Sequence, residues 1–142
     1  MKVSRDTIEI RTEEGQQFLD VTKDIQKIVD RSGVRNGMLL INGLHTTIAL
    51  FINEFQSALL DDVASTLQKL IPRRVGYLHD DPTYSDCDRA NAHAHLRATL
   101  LGRPIALGIA DGEIILGQYQ RVILAELDGP RERRLQVQMV GE

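Results

Sequence analysis

His45, His79, His93 and His95 are the four imidazoles of this 142-residue chain, and they are its natural candidates for proton transfer or metal ligation near neutral pH. His45 stands inside "INGLHTTIALFINE", residues 41 to 54, where an apolar run through Leu39, Leu40 and Ile41 breaks at Asn42-Gly43 and resumes at Ile48. Thr46 and Thr47 follow it, and their hydroxyls can orient an imidazole or hold phosphate oxygens. The plainer reading of the same residues is a turn with a hydrogen-bonded histidine. Both stay open on this stretch alone.

His93 and His95 lie in "NAHAHLR". On a helix, residues two apart are rotated by about 200°, so the two rings point to opposite sides. Asn91 then shares a face with His95, and His93 shares the other with Arg97. The spacing is not the i, i+4 pair of zinc proteases, which removes that chemistry. In "DCDRAN", Asp86 or Asp88 is placed to cap this helix. Alternatively the free amides at its start, near Asn91, bind a phosphate-like anion, or one carboxylate holds a divalent ion bridging to it. "DGPRERR" supplies Arg131, Arg133 and Arg134, either a solvated basic turn or an anion clamp. A strand read over 118–127 puts Gln118, Gln120 and Glu126 on one face with Val122 and Leu124, as edge solvation or as the wall of a polar pocket. Asn53 with Gln56 three residues on reads as a capping box. Asn53 also stands eight residues from His45, roughly 26 Å along a straight strand, so one pocket could use both only from different subunits. Cys87 has no neighbouring motif that would activate it.

The elements that must position these groups follow from periodicity. Residues 3–10 alternate as a half-buried strand. "VTKDIQKIVDRSG" reads as a helix with Thr22 as its cap, an Ile25/Ile28/Val29 stripe and Gly33 at its stop. Residues 37–43 and 46–53 read as buried strands. Phe55, Leu59, Leu60, Val63, Leu67 and Leu70 give a long amphipathic helix ended by Pro72. Residues 71 to 90 form a long polar loop, of the kind that is functional or disordered. The short helix from Asn91 ends at Gly102. Asp111-Gly112 marks a hairpin between two apolar stretches, and "RLQVQMV" alternates with Leu135, Val137 and Met139 on one face. Few helices set between groups of strands predict an α+β fold: a mixed, mostly antiparallel sheet with two to three helices in a single compact domain.

Bulk composition narrows the function. A net charge of −3 and an aromatic content of 4 %, with no tryptophan, disfavour nucleic acid as a partner. One cysteine allows no intrachain disulfide and points to a reducing compartment. No apolar run approaches the roughly 20 residues that span a bilayer, so the expectation is a cytoplasmic protein without a membrane partner.

Taken together, "GLHTTIALFINE", "NAHAHLRATLLG", "GQYQRVILAELDGPRERR" and the closing strand resemble the YjbQ-like family, described as secondary thiamine-phosphate synthase enzymes. The resemblance runs over nearly the whole chain and implies one YjbQ-like domain over 1–142. The family motifs fall at His45, Thr46, Thr47, Asn53 and Glu54; at Asn91, Ala92 and His95; and at Gln120, Glu126, Asp128, Gly129, Pro130 and Arg131. Tyr119 departs from the usual tryptophan. The resemblance implies a homotrimer with polar pockets near subunit contacts, in which another copy brings His95 and the Glu126 strand towards His45. It also implies a transferase that joins a pyrimidine diphosphate to a thiazole phosphate and releases pyrophosphate, as a main or a secondary activity. On that reading His45, His95 and Glu126 are the catalytic candidates. Thr46, Thr47, Asn91, Arg97, Gln120 and Arg131 are the candidates for binding a small phosphorylated substrate. His45 and His95 are also the candidate ligands of a divalent metal, magnesium or a transition metal such as zinc. The alternative is a non-catalytic trimeric module that binds a small anion or a metal ion.

Overall fold

A computed structural model describes residues 1–142. Eight strands form two antiparallel sheets. The first has five strands in the order β1-β8-β3-β5-β6 and the second has three in the order β2-β7-β4. β1 is Lys2–Arg11, β2 Gln17–Asp20, β3 Gly37–Gly43, β4 Ile48–Asn53, β5 Ile105–Ala110, β6 Glu113–Ile114, β7 Arg121–Glu126 and β8 Glu132–Gly141. The helices are α1 Thr22–Ser32, α2 Ser57–Leu70 and α3 Ala92–Leu101, with a 3-10 turn at Leu78–Asp80. The α+β expectation with three helices therefore holds, in one compact domain. The strands divide between two sheets because alternation gives β4 and β7 apolar residues on both faces.

From β4, Ile48 and Leu50 enter a core with Leu39 and Ile41 of β3, Val122 and Leu124 of β7, and Leu135, Val137 and Met139 of β8. This core fills the space between the sheets, and α1 closes it with Ile25, Ile28 and Val29. The opposite residues, Ala49 of β4 and Ala125 of β7, form a second core with Leu67 of α2 and with Ala94 and Ala98 of α3. Alanines at these positions let α3 approach the three-stranded sheet closely. Burying each large aliphatic side chain contributes about 1.5–3 kcal/mol, so the layer order follows from which residues each face must hide.

Local signals differ from the sequence expectations at several points. Val21 is the residue before α1, while the Thr22 hydroxyl accepts a hydrogen bond from the Val122 amide at 2.8 Å and ties the helix to β7. Asn53 ends β4 rather than opening α2; Gln56 caps that helix by accepting from the Leu59 amide at 2.7 Å. The cap of α3 is neither Asp86 nor Asp88 but Asp80, twelve residues upstream, whose Oδ1 accepts from the Ala92 amide at 3.0 Å. β7 begins at Arg121, so Gln118 and Gln120 precede the strand and share no face with Glu126. Gln120 instead folds back and accepts from the Gly117 amide at 2.7 Å. Asp111 and Gly112 both have positive φ, which is what a tight two-residue hairpin between β5 and β6 demands.

Candidate functional site

Register decides which polar residues meet. In β7, Glu126 continues the core-facing row of Val122 and Leu124; in β8, Arg133 opens the core-facing row of Leu135, Val137 and Met139. Both are driven into the end of the core between the sheets, with exposures of 0 % and 1 %. They resolve the burial by pairing. Arg133 donates from Nε to Glu126 Oε1 at 2.8 Å and from Nη2 to Oε2 at 2.5 Å. Thr12 donates to Oε1 at 2.7 Å and the Asp128 amide to Oε2 at 3.1 Å. Burial pushes the Glu126 pKa up, but the Arg133, Thr12 and Asp128 hydrogen bonds outweigh it and hold the group below its ordinary value. Thr47, 3 % exposed, accepts from Arg133 Nη2 at 2.9 Å. The carboxylate is thus fully engaged, and Arg133 is neither a turn residue nor solvated.

Above this pair runs the turn 44–47. His45 Nε2 accepts from the Arg134 amide at 3.0 Å, which fixes the neutral ring with its proton on Nδ1. Burial lowers its pKa first, and the charges of Arg133, Arg134 and Arg131 add to the effect while Glu126 opposes it. His95 reaches the same turn from α3; burial and then His79 lower its pKa, opposed by Asp128 and by the nearby Thr46 backbone. Its ring centroid lies 4.7 Å from that of His79, tilted by 59°. His79 Nδ1 sits 3.5 Å from Asp80 Oδ1, too far for a hydrogen bond. His79 Nδ1 and Asp80 Oδ2 are buried and without a hydrogen-bond partner.

Asp128 joins the two sides. Its Oδ2 accepts from Arg89 Nε at 2.9 Å and from Asn91 Nδ2 at 2.8 Å, and Arg131 Nη2 lies 3.5 Å away. Burial raises its pKa and these donors more than reverse that. Arg131 acts electrostatically on both His45 and Asp128, so it lies between the turn and the start of α3. One chain therefore brings His45, Thr46, Thr47, Glu126 and Arg131 to one end of the three-stranded sheet, with Asn91 and His95 beside them. The expectation that another copy brings His95 and the Glu126 strand towards His45 is not needed for these residues: β7 pairs with β4 in the same chain, and His95 comes close to the Thr46 backbone there. Gln120 is at the far end of β7, roughly 20 Å from Glu126 along the strand. Asn53, in register with Arg121, is at that far end too.

The opposite faces expected for His93 and His95 are seen. His93 and Arg97 line a small cavity of about 70 Å³ with Gln16, Arg73 and Asp128. Arg97 donates to the Ile71 carbonyl at 3.0 and 2.8 Å, to Gln16 at 2.8 Å and to Gln68 at 2.9 Å. Burial, then Arg73, lowers its pKa.

No group of three or more His, Cys, Asp or Glu side chains comes together to hold a metal ion. His45 has already committed Nε2 to a backbone amide. The donor set of one chain does not fit a metal at His45 and His95. Sequence reasoning counted His79 among the candidate imidazoles without placing it, gave no role to Asp80 or Arg89, and treated Arg133 as part of a turn. His79 and Asp80 carry no local pattern; only the unusual length of the 71–90 loop marked them.

A family model described as UPF0047 protein YjbQ-like matches residues 6–142. A UPF0047 protein of Methanothermobacter thermautotrophicus is 37 % identical over 142 residues, covering 100 % of this chain and 95 % of its own. Among solved structures, a YbjQ-like protein of unknown function from Sulfolobus solfataricus superimposes with a TM-score of 0.91 at 34 % identity, covering 99 % of both chains. A hypothetical protein from Aeropyrum pernix gives 0.88 at 31 %, covering 98 % of this chain and 99 % of that one. No helix is long and apolar enough to cross a membrane.

Proposed function

The chain belongs to the YjbQ-like UPF0047 family, and from that premise we propose that the cluster around the 44–47 turn and the start of α3 is the active site of a thiamine-phosphate synthase-like transferase. The reaction forms a carbon–nitrogen bond between a thiazole phosphate and the methylene of a pyrimidine diphosphate. The methylene–oxygen bond breaks, and pyrophosphate leaves with its electron pair. The demands on the protein are to hold phosphate charge, to stabilise the departing diphosphate and to manage protons.

The observation that carries the reading is the His79–His95 contact beside Asp80, with two buried polar atoms left unpartnered. Buried polar groups are ordinarily hydrogen-bonded, so such a cluster is a place where a ligand supplies the missing partners. Arg89 and Arg131 bring positive charge to Asp128, which itself acts on His95. His45 and His95 have pKa values lowered by burial, so both stay uncharged at neutral pH. His95 is the one placed to accept a proton, while His45, whose Nε2 already accepts from the Arg134 amide, has only its Nδ1 hydrogen to offer. Glu126, fully hydrogen-bonded, acts as a positioning residue that fixes Arg133 and, through Thr47, the turn carrying His45. Thr46 is the exposed threonine and the better candidate to meet substrate. Asn91 acts through Asp128. A divalent ion in this scheme arrives with the diphosphate, or is held by donors shared with another copy.

The test is thiamine phosphate formation from the two phosphorylated precursors, with and without magnesium, in wild type, His45→Ala and His95→Ala. Loss of roughly 10²-fold or more in each variant is expected for an acid–base group. Equal product from all three proteins would remove both histidines from catalysis. The second reading, an anion-binding module without turnover, is favoured by the full engagement of Glu126, which leaves no free carboxylate base. Ligand-dependent stabilisation with no product would support it.

A further inference from the structure

We propose that the cavity on the opposite face of α3, lined by His93, Arg97, Arg73 and Gln16, is a second site that binds one small tetrahedral oxyanion of the phosphate class. This goes beyond the proposed transferase site, which His95 faces from the other side of the same helix.

Three features converge there. Arg97 is 4 % exposed, yet it makes no ion pair; its partners are a carbonyl and two side-chain amides. A buried guanidinium without a counter-charge is costly, and neutral acceptors only partly compensate. His93 is also 4 % exposed, and its Nδ1 is buried without a partner. It lines the same cavity and can donate from Nδ1 to an anion. Finally, Arg73 lies at the exposed mouth and makes no hydrogen bond or ion pair, although its charge acts on both His93 and Arg97. Gln16 spends its oxygen on Arg97, which leaves its amide hydrogens to donate.

Asp128 is the one acidic residue of the lining, and its Oδ2 is neutralised by Arg89 and approached by Arg131. The local balance left over is positive. A volume of about 70 Å³ suits one phosphate-sized ion and falls well short of the several hundred Å³ that a nucleotide or cofactor needs.

The experiment uses inorganic phosphate, titrated calorimetrically into the full chain at constant ionic strength set with chloride. The Arg131→Ala background weakens phosphate binding at the transferase site by the loss of one charge-assisted contact, so the two sites are read separately by affinity. Saturable binding is expected to persist in that background. Adding Arg73→Gln or His93→Gln should weaken it about tenfold each, the worth of one charge-assisted hydrogen bond. Arg73 is exposed and its replacement leaves folding intact, which keeps the test independent of the structural burden on Arg97. No saturable phosphate binding in the Arg131→Ala protein, or an affinity in both added variants unchanged from that of the Arg131→Ala protein, overturns the proposal.

Discussion

Arg133 is the residue on which the candidate site stands. It grips Glu126 with two donors and Thr47 with a third contact, all out of solvent. Glu126→Gln would leave that guanidinium without its counter-charge, and breaking a buried pair from one side costs about 3–5 kcal/mol. Urea unfolding should show a loss of that size with an unchanged slope. The histidines set a second expectation. His45, His93 and His95 have folded pKa values below their ordinary 6.5, each chiefly through burial. Between 6.5 and those lower values the unfolded chain binds more protons, so stability rises with pH across that window and falls as pH drops through it. Glu126 and Asp128, lowered from 4.5 and 3.8, contribute stability that is present above those values and lost as pH falls further. Unfolding free energy measured against pH should therefore be level above about pH 7 and decline in two stages towards acid. A single decline confined below pH 4.5 would mean the imidazoles are not held neutral by the fold. Strand parity made it legible that Glu126 faces inward. Its partner was not legible, because Arg133 sits in a run of arginines that also reads as a solvated turn.

At the scale of elements, periodicity carried most of the fold, since α1, β3, α2, the β5–β6 hairpin and β8 each bury one side against a core. It failed where an element is held by something distant. β2 has only four residues, all half-buried, and owes its existence to pairing with β7. The start of α3 depends on Asp80, which no window around "DCDRAN" contains. Asp80→Ala should cost about 1 kcal/mol of stability through the lost cap, readable as a lower melting temperature. It should also loosen the His79–His95 contact on the α3 face. Gly129 marks a second such dependence. A Cβ there would fall 2.3 Å from the Glu14 carbonyl oxygen and 2.8 Å from the Glu126 side chain, while its amide donates to the Gly15 carbonyl at 2.9 Å. Gly129→Ala should destabilise by about 1–3 kcal/mol, as overpacking does, and should displace the 127–131 turn that carries Asp128 and Arg131. Unchanged stability in that variant would contradict the close approach.

For the whole molecule, the two ends of the three-stranded sheet hold different parts of the family pattern. His45, Thr47, Glu126 and Arg131 gather at one end, whereas Asn53 and Gln120 stand at the other. Their separation within a chain is the reason to expect assembly, because a neighbouring copy can bring the far end of its own sheet to this site. The five-stranded sheet leaves Val3, Met38 and Leu40 largely exposed on its outer face, an apolar patch of the kind that association covers. Light scattering is expected to give three times the 15.9 kDa chain mass; a monomer at micromolar concentration would contradict the assembly. The most direct test of the central claim is calorimetric titration with thiamine phosphate, comparing wild type with Arg131→Ala and His95→Ala. The account predicts saturable binding by wild type that weakens at least tenfold in both variants, as expected for losing a charge-assisted contact. Equal affinity in all three proteins, or no binding by wild type, would contradict it.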